Sequence, residues 1–243
     1  MSCLLIPLVI GYRRVPLPPA KTIPFIEKSF KLLHIVTDSA NIIIIFVSDA
    51  IRIEKMDVIK TELEGVYVIE PKIFRDGRGY FFESFSQREF DEKVGHIDFV
   101  QDNESMSVYG VMRGLHFQRP PYAQSKLVRC VKGTVLDVAV DIREGSPTYG
   151  KHVAVELSEE NHRQLFIPHG FAHGFAVLSE KALFQYKCDN FYHPEADGGI
   201  SILDSSLGID WKVPQEVAIL SEKDTRHPLL KDFVTPFRKG TEF

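Results

Sequence analysis

Cysteine is scarce in this chain of 243 residues: Cys3, Cys130 and Cys188 are odd in number and never stand in a CxxC pair. Neither a disulfide framework nor a zinc ribbon is therefore expected, and the usage suits a reducing cytoplasm. Positive charge is also lacking, since 29 Lys and Arg are outweighed by 33 Asp and Glu. That balance provides no overall field for nucleic acid, so anionic ligands would have to find local basic groups. Long apolar runs are missing too. The longest, NIIIIFVSDAI from Asn41 to Ile51, is broken by Ser48 and Asp49 and is far too short to cross a bilayer. The opening LLIPLVIGYRR carries its arginines after the apolar stretch and is interrupted by Pro7, the reverse of a secretory signal. No membrane partner is expected.

What is present is a core: 44% of the residues are apolar, enough for one large domain or a domain with an appendage. Residues 1–55 have a PLPP turn at Pro16 to Pro19 and no sustained period, and read as an N-terminal extension, either a mispredicted leader or a dispensable arm. From Met56 the text MDVIKTELEGVYVIEP reads as the opening of a self-contained domain, with a strand ending at Pro71, so the domain is placed at 56–243.

Within it, short β-rich runs recur between turn signals such as RDGRG, VKG and EGSPTYG. In VLDVAVDI, Leu136, Val138, Val140 and Ile142 fall on one face and Asp137 and Asp141 on the other, the pattern of a half-buried antiparallel strand. In KALFQYKC, Ala182, Phe184, Tyr186 and Cys188 share a face opposite Gln185 and Lys187, which turns Tyr186 inward. The clearest of a few short helices is expected at SQREFDEKV, with Ser86 as N-cap, Glu89 as its capping-box partner, and Phe90 and Val94 on one side. Many short strands with few helices predict an all-β, closed or double-sheet architecture.

Four segments carry more polar residues than core strands need: RDGRGYFFESF with Arg78 and Glu83, VQDNESMS with Gln101, Asp102 and Asn103, RGLHFQ followed by Lys126, and IPHGFAHGF with His169 and His173. An unpartnered buried polar group costs roughly 1 to 3 kcal/mol, so such a concentration suggests a ligand cavity. The histidine of RGLHFQ poses the sharpest question, because an imidazole among hydrophobes is ordinarily a hydrogen-bonded core residue.

The motifs RGYFFESF, FVQDN, RGLHFQ, KLVRCVKG, DVAVDIREGSPTYGK, RQLFIPHGFAHGF, YKCDNFY, DGGI, LGIDW and LSEKD occur in this order. From about Met56 to Leu230 the chain resembles the dTDP-4-dehydrorhamnose 3,5-epimerase family, whose fold is a cupin-like jelly-roll barrel. The resemblance implies an isomerase of dTDP-L-rhamnose biosynthesis that uses no cofactor or metal. Its substrate would be a dTDP-4-keto-6-deoxyhexose, inverted at C3 and C5. By the same resemblance His116 is the base, Asp224 the carboxylate that orients it and stabilises its imidazolium, Tyr186 the acid on the opposite face, and Lys126 the cation facing the enolate. His173 matches a substrate contact. Arg78, Arg113 and Lys223 match diphosphate contacts and Tyr192 the thymine-stacking position. Glu83, Gln101 and Asn103 match other nucleotide or sugar positions, and Asp197 stands where the family more often has Glu. His169 replaces a frequent Glu and is given no catalytic role.

In the family the segment with Arg78 and Glu83 reaches the neighbouring subunit, implying a homodimer with exchanged strands. Strict alternation puts Arg113 and His116 on opposite faces, while the resemblance turns both toward substrate; a bulge near Gly114 would reconcile them. Two rival readings are a metal-dependent cupin oxygenase, which lacks its usual HxH ligand pair here, and an epimerase acting at C3 or C5 alone. A binder without catalysis would have no need of the proton carriers.

Overall fold

The computed structural model describes residues 31–38, 41–47 and 55–241. The chain divides into two units, Met1–Ile53 and Glu54–Phe243. In the first, β1 (Lys31–Asp38) and β2 (Asn41–Val47) pair as an antiparallel hairpin with a register irregularity between Leu32 and His34. The sequence reading assigned no element there: a continuous β-branched run such as NIIIIFV shows no alternation, yet it is good strand material. The proposal that this stretch is a mispredicted leader otherwise falls largely on residues outside those described.

The second unit is built from two antiparallel sheets. One contains β3 (Met56–Lys60), β4 (Tyr67–Pro71), β7 (Gln101–Val108), β9 (Lys126–Lys132), β12 (Gln164–Ile167) and β14 (Lys181–Cys188), in the order β3-β4-β12-β9-β14-β7. The other contains β8 (Met112–Gln118), β10 (Thr134–Asp141), β11 (His152–Ser158), β13 (Phe171–Val177) and the short β15 (Asp197–Gly199), in the order β11-β10-β13-β8-β15. A separate hairpin, β5 (Phe74–Asp76) and β6 (Gly79–Phe81), leads to the helix α1 (Gln87–Lys93). This is the expected all-β jelly roll, and no helix among the described residues is long and apolar enough to cross a membrane.

Three apolar clusters define the layers. Between the sheets lie Val128, Cys130, Val135, Ala139, Leu165, Phe171, Phe175 and Phe184. Outside the six-stranded sheet, Phe90 of α1 closes on Ile69, Leu127 and Phe166. Outside the five-stranded sheet, Ile200, Ile202, Leu207 and Phe237 from the C-terminal segment cover Leu136, Val138, Val140 and Ala172.

That last layer corrects the reading of VLDVAVDI. Its period is two, but the apolar face is the outer one and is covered by the C-terminal segment. Asp137 belongs to the inner face, and both Asp137 and Asp141 are fully buried. A period of two says that the faces differ, not which of them meets solvent. The helix lies where the capping pattern predicted, with Phe90 and Val94 together on its packed side, but the capping box is not made. Ser86 makes no side-chain cap bond, and the buried Glu89 instead accepts the backbone N–H of Lys55 at 3.1 Å.

Candidate active site

The sheet pairing brings two sets of polar side chains face to face. From the five-stranded sheet come Arg113, His116 and His173; from the six-stranded sheet come Asn103, Lys126 and Tyr186. All six line one cavity of about 250 Å³ between the sheets. Tyr186 follows Phe184 along the inner face of β14, as the alternation of KALFQYKC requires, and packs against the central cluster.

Arg113 and His116 share this face because β8 is bulged. On β13, His173 and Phe175 pair with His116 and Arg113, so two steps of β13 match three of β8. The extra residue falls at Gly114, where φ is +133°, and a Cβ there would stand 2.5 Å from the Cα of Gly174 and 2.9 Å from the carbonyl oxygen of His173. Only glycine combines this backbone with so close an approach. The expected bulge is thus present.

His116 reaches Asp224 through a 2.5 Å contact between Nε2 and Oδ1. The ring is about one-third exposed on the cavity side, whereas Asp224 is buried. This geometry leaves Nδ1 of His116 as the nitrogen free of the carboxylate. Burial pushes the Asp224 carboxyl up, but the hydrogen bond and charge of His116 and a bond from Ser221 outweigh it and hold the pKa below its ordinary value. Asp224 opens a 3₁₀ turn, Asp224–Arg226. Next to the pair stands His227, its ring centroid 5.6 Å from that of His116 in an edge-on arrangement. Burial first, then the proximity of His116, holds the His227 pKa below its usual value.

On the opposite wall, burial raises the pKa of the Tyr186 phenol, helped by Cys188. The hydroxyl is therefore kept protonated well beyond neutral pH. Burial lowers that of the Lys126 ammonium, against the opposing influence of Cys188, Asp137 and Asp197. A partly desolvated cation beside Tyr186, 5.9 Å from its ring centroid, acts strongly on any negative charge arising in the cavity. His173 donates to or accepts from Asp137, with Nε2 and Oδ1 2.8 Å apart and both groups buried. Burial lowers its pKa, against the raising influence of Asp137. Sequence reading missed Asp137 by placing it outside; the signal was a lone carboxylate in an otherwise apolar strand.

A second group adjoins this cavity. Oε1 of Gln101 accepts the backbone N–H of Tyr192 at 3.1 Å, and Nε2 of the same amide donates to Asn103 at 3.0 Å. The Tyr192 hydroxyl lies 3.4 Å from Asp197, which also pairs with Lys223. Tyr192 is about half exposed, presenting its ring to solvent. Its neighbours are held by Gln118, a buried residue that sequence reading passed over. The Gln118 amide donates to the carbonyls of Tyr122 and Phe191 and accepts the backbone N–H of His193, at 2.9, 3.0 and 2.6 Å. Arg78 and Glu83 are not brought in. Arg78 is exposed and paired with Asp76, and Glu83 pairs with Lys55 beside α1. His169 faces Asp189 at 2.9 Å, away from the cavity.

A family profile described as dTDP-4-dehydrorhamnose 3,5-epimerase matches residues 60–232. The chain belongs to this family. Among curated epimerases of that name, the one from Shigella flexneri is 58% identical over 170 residues, 70% of this chain and 93% of the relative. Among solved structures, dTDP-6-deoxy-D-glucose-3,5-epimerase from Legionella pneumophila, in complex with dTDP-4-keto-L-rhamnose, is 51% identical. It has a TM-score of 0.70 over 72% of this chain and 93% of its own. A 3′-monoepimerase from Streptomyces bikiniensis, in complex with dTDP-quinovose, is 33% identical, with a TM-score of 0.67 over 71% and 87%. The epimerase fold is thus shared by proteins named for one inverted centre and for two.

Proposed function

We propose that this chain is an isomerase that inverts C3 and C5 of dTDP-4-dehydro-6-deoxy-D-glucose, giving dTDP-4-dehydro-L-rhamnose for dTDP-L-rhamnose biosynthesis. The observation carrying this reading is that the His116–Asp224 pair and Tyr186 reach one cavity from opposing sheets. Both reacting carbons neighbour the C4 ketone, so each can lose a proton as an enolate forms. In this reading Nδ1 of His116 takes the proton, while Asp224 holds Nε2 and balances the imidazolium. Charge gathers on O4, where Lys126 meets it; a donor of this kind is commonly worth about 3 to 4 kcal/mol in the transition state. The Tyr186 hydroxyl then gives its proton to the carbon from the other side, and solvent restores both groups. A proton removed on one face and returned on the other is an inversion.

The nucleotide would lie toward Tyr192, with thymine against its ring and the diphosphate toward Arg113 and Lys223. Arg78 and Glu83 fit this reading through a second subunit. The hairpin that carries Arg78 and precedes Glu83 exposes Phe74, Tyr80 and Phe81, apolar surface suited to burial against a partner in a strand-exchanged homodimer. Cytoplasmic residence is part of the proposal and agrees with the free, buried thiols of Cys130 and Cys188.

The test is incubation with dTDP-4-keto-6-deoxyglucose in deuterium oxide, following label at C3 and C5 by NMR. Label at both positions is expected, and label at C3 alone would favour the monoepimerase reading. His116→Ala should abolish exchange, a loss of at least about 10² to 10⁴-fold; full turnover in that variant would overturn the assignment.

A further inference from the structure

The proton path uses His116 and Asp224 but leaves His227 without a task. Its Nε2 is buried and has no hydrogen-bond partner among the described residues, a costly condition for an imidazole nitrogen. That atom lies 3.9 Å from Oδ1 of Asp224, the same oxygen that His116 contacts at 2.5 Å. One donor atom from each of the three residues falls within 4.8 Å of the others. The His227 ring is also wedged in place: a Cβ on Gly199, the residue paired with His116 across β15 and β8, would stand 2.6 Å from Nε2.

From this convergence we infer that His116, Asp224 and His227 form an inhibitory binding site for a divalent transition metal, with Zn²⁺ as the type ion. Two imidazoles and a carboxylate are the donor set such ions prefer, and bonds of about 2.0 to 2.2 Å place tetrahedral donors roughly 3.3 Å apart. The observed separations bracket that spacing, so a small opening of the His116–Asp224 contact admits the ion.

The consequence follows from the two nitrogens of one ring. While Nε2–H of His116 donates to Asp224, the lone pair sits on Nδ1 and can take a substrate proton. A metal on Nε2 uses the lone pair there and displaces that proton, to Nδ1 or to solvent, and the ring in its neutral form then carries hydrogen on Nδ1. No base remains toward the sugar. The loss of activity rests on the reading of His116 as base; the binding of the ion does not.

The experiment uses tag-free full-length protein freed of metal with a chelator, titrated with zinc chloride by calorimetry and assayed for deuterium exchange in parallel. The parental protein should bind one more equivalent of Zn²⁺ than His227→Gln or His227→Phe, and both variants should exchange at near the parental rate without metal. Zinc should stop exchange in the parental protein, reversibly on chelation, at a concentration at least about tenfold below that needed for the variants. Equal stoichiometry and equal inhibitory concentrations in all three proteins would overturn the site, as would tight zinc binding that leaves exchange untouched. Absence of exchange in metal-free parental protein would instead count against the epimerase reading, and the calorimetric comparison would still decide whether the ion binds.

Discussion

Replacing Gly114 with alanine tests how β8 turns Arg113 and His116 to one face. The backbone there has φ of +133°, and the added methyl would meet Gly174 Cα at 2.5 Å and the His173 carbonyl at 2.9 Å. Holding a non-glycine residue in so sparse a region costs on the order of 1 to 3 kcal/mol. Forcing a methyl against backbone atoms, which cannot rotate aside, adds about 1 to 3 kcal/mol more. The sum is about 4 kcal/mol, or a fall in melting temperature of about 10 °C for a domain of this size. Gly145→Ala is the matched control, since Gly145 also has positive φ, +78°, but its Cβ would meet nothing within 4 Å; strain alone should cost about 1 kcal/mol. Circular dichroism melts of the two variants read the difference, and exchange assays well below the transition read the second effect, loss of activity as Arg113 and His116 separate. Equal melting temperatures for the two variants would refute the argument that close strand approach dictates glycine at 114.

Tyr186→Phe should leave removal of substrate hydrogen measurable while net inversion falls by about 10² or more, seen by comparing isotope wash-in with product formation. Gln118→Leu unseats three polar backbone groups around Tyr192 and should cost about 2 kcal/mol in stability; calorimetry should show weakened dTDP affinity, with turnover at saturating substrate nearly retained. Acid titration of stability should reveal Asp141. Burial raises its pKa, but Arg143, Ser146 and Thr148 outweigh this and hold it below the usual value. Its contribution is therefore complete above the unfolded-state value of about 3.9 and is lost as pH falls through the lower folded one. Asp141→Asn should flatten that acid limb in chemical denaturation and cost about 3 kcal/mol at neutral pH, because Arg143 loses a buried partner.

Local rules carried part of this fold and stopped at identifiable points. Alternation aimed Tyr186 into the barrel, and the conflict between alternation and motif at Arg113 and His116 located the bulge before any coordinates. The same rule failed for Asp137, because the C-terminal segment buries the outer face of β10 and makes both faces interior. The capping box failed because Lys55, distant in sequence, supplies the hydrogen bond that Glu89 accepts. His116 and Asp224 are 108 residues apart, and only the likeness of RGLHFQ and LSEKD to family motifs joined them. Arg78 and Glu83 were marked by the same likeness, but a single chain does not carry them to the cavity. His227 and Gln118 escaped notice because nothing local distinguishes a buried imidazole or amide from a solvated one.

The layer of residues that follows β15 does two jobs at once: it seals the outside of one sheet and delivers Asp224 to the ring that needs it. During synthesis the barrel strands emerge first and this layer last. If the proposed roles of His116, Tyr186 and Asp224 hold, a nascent or C-terminally clipped molecule would own an imidazole and a phenol but have no carboxylate to set the tautomer, and so would stay chemically silent. On that reading, completion of the tail is the arming step.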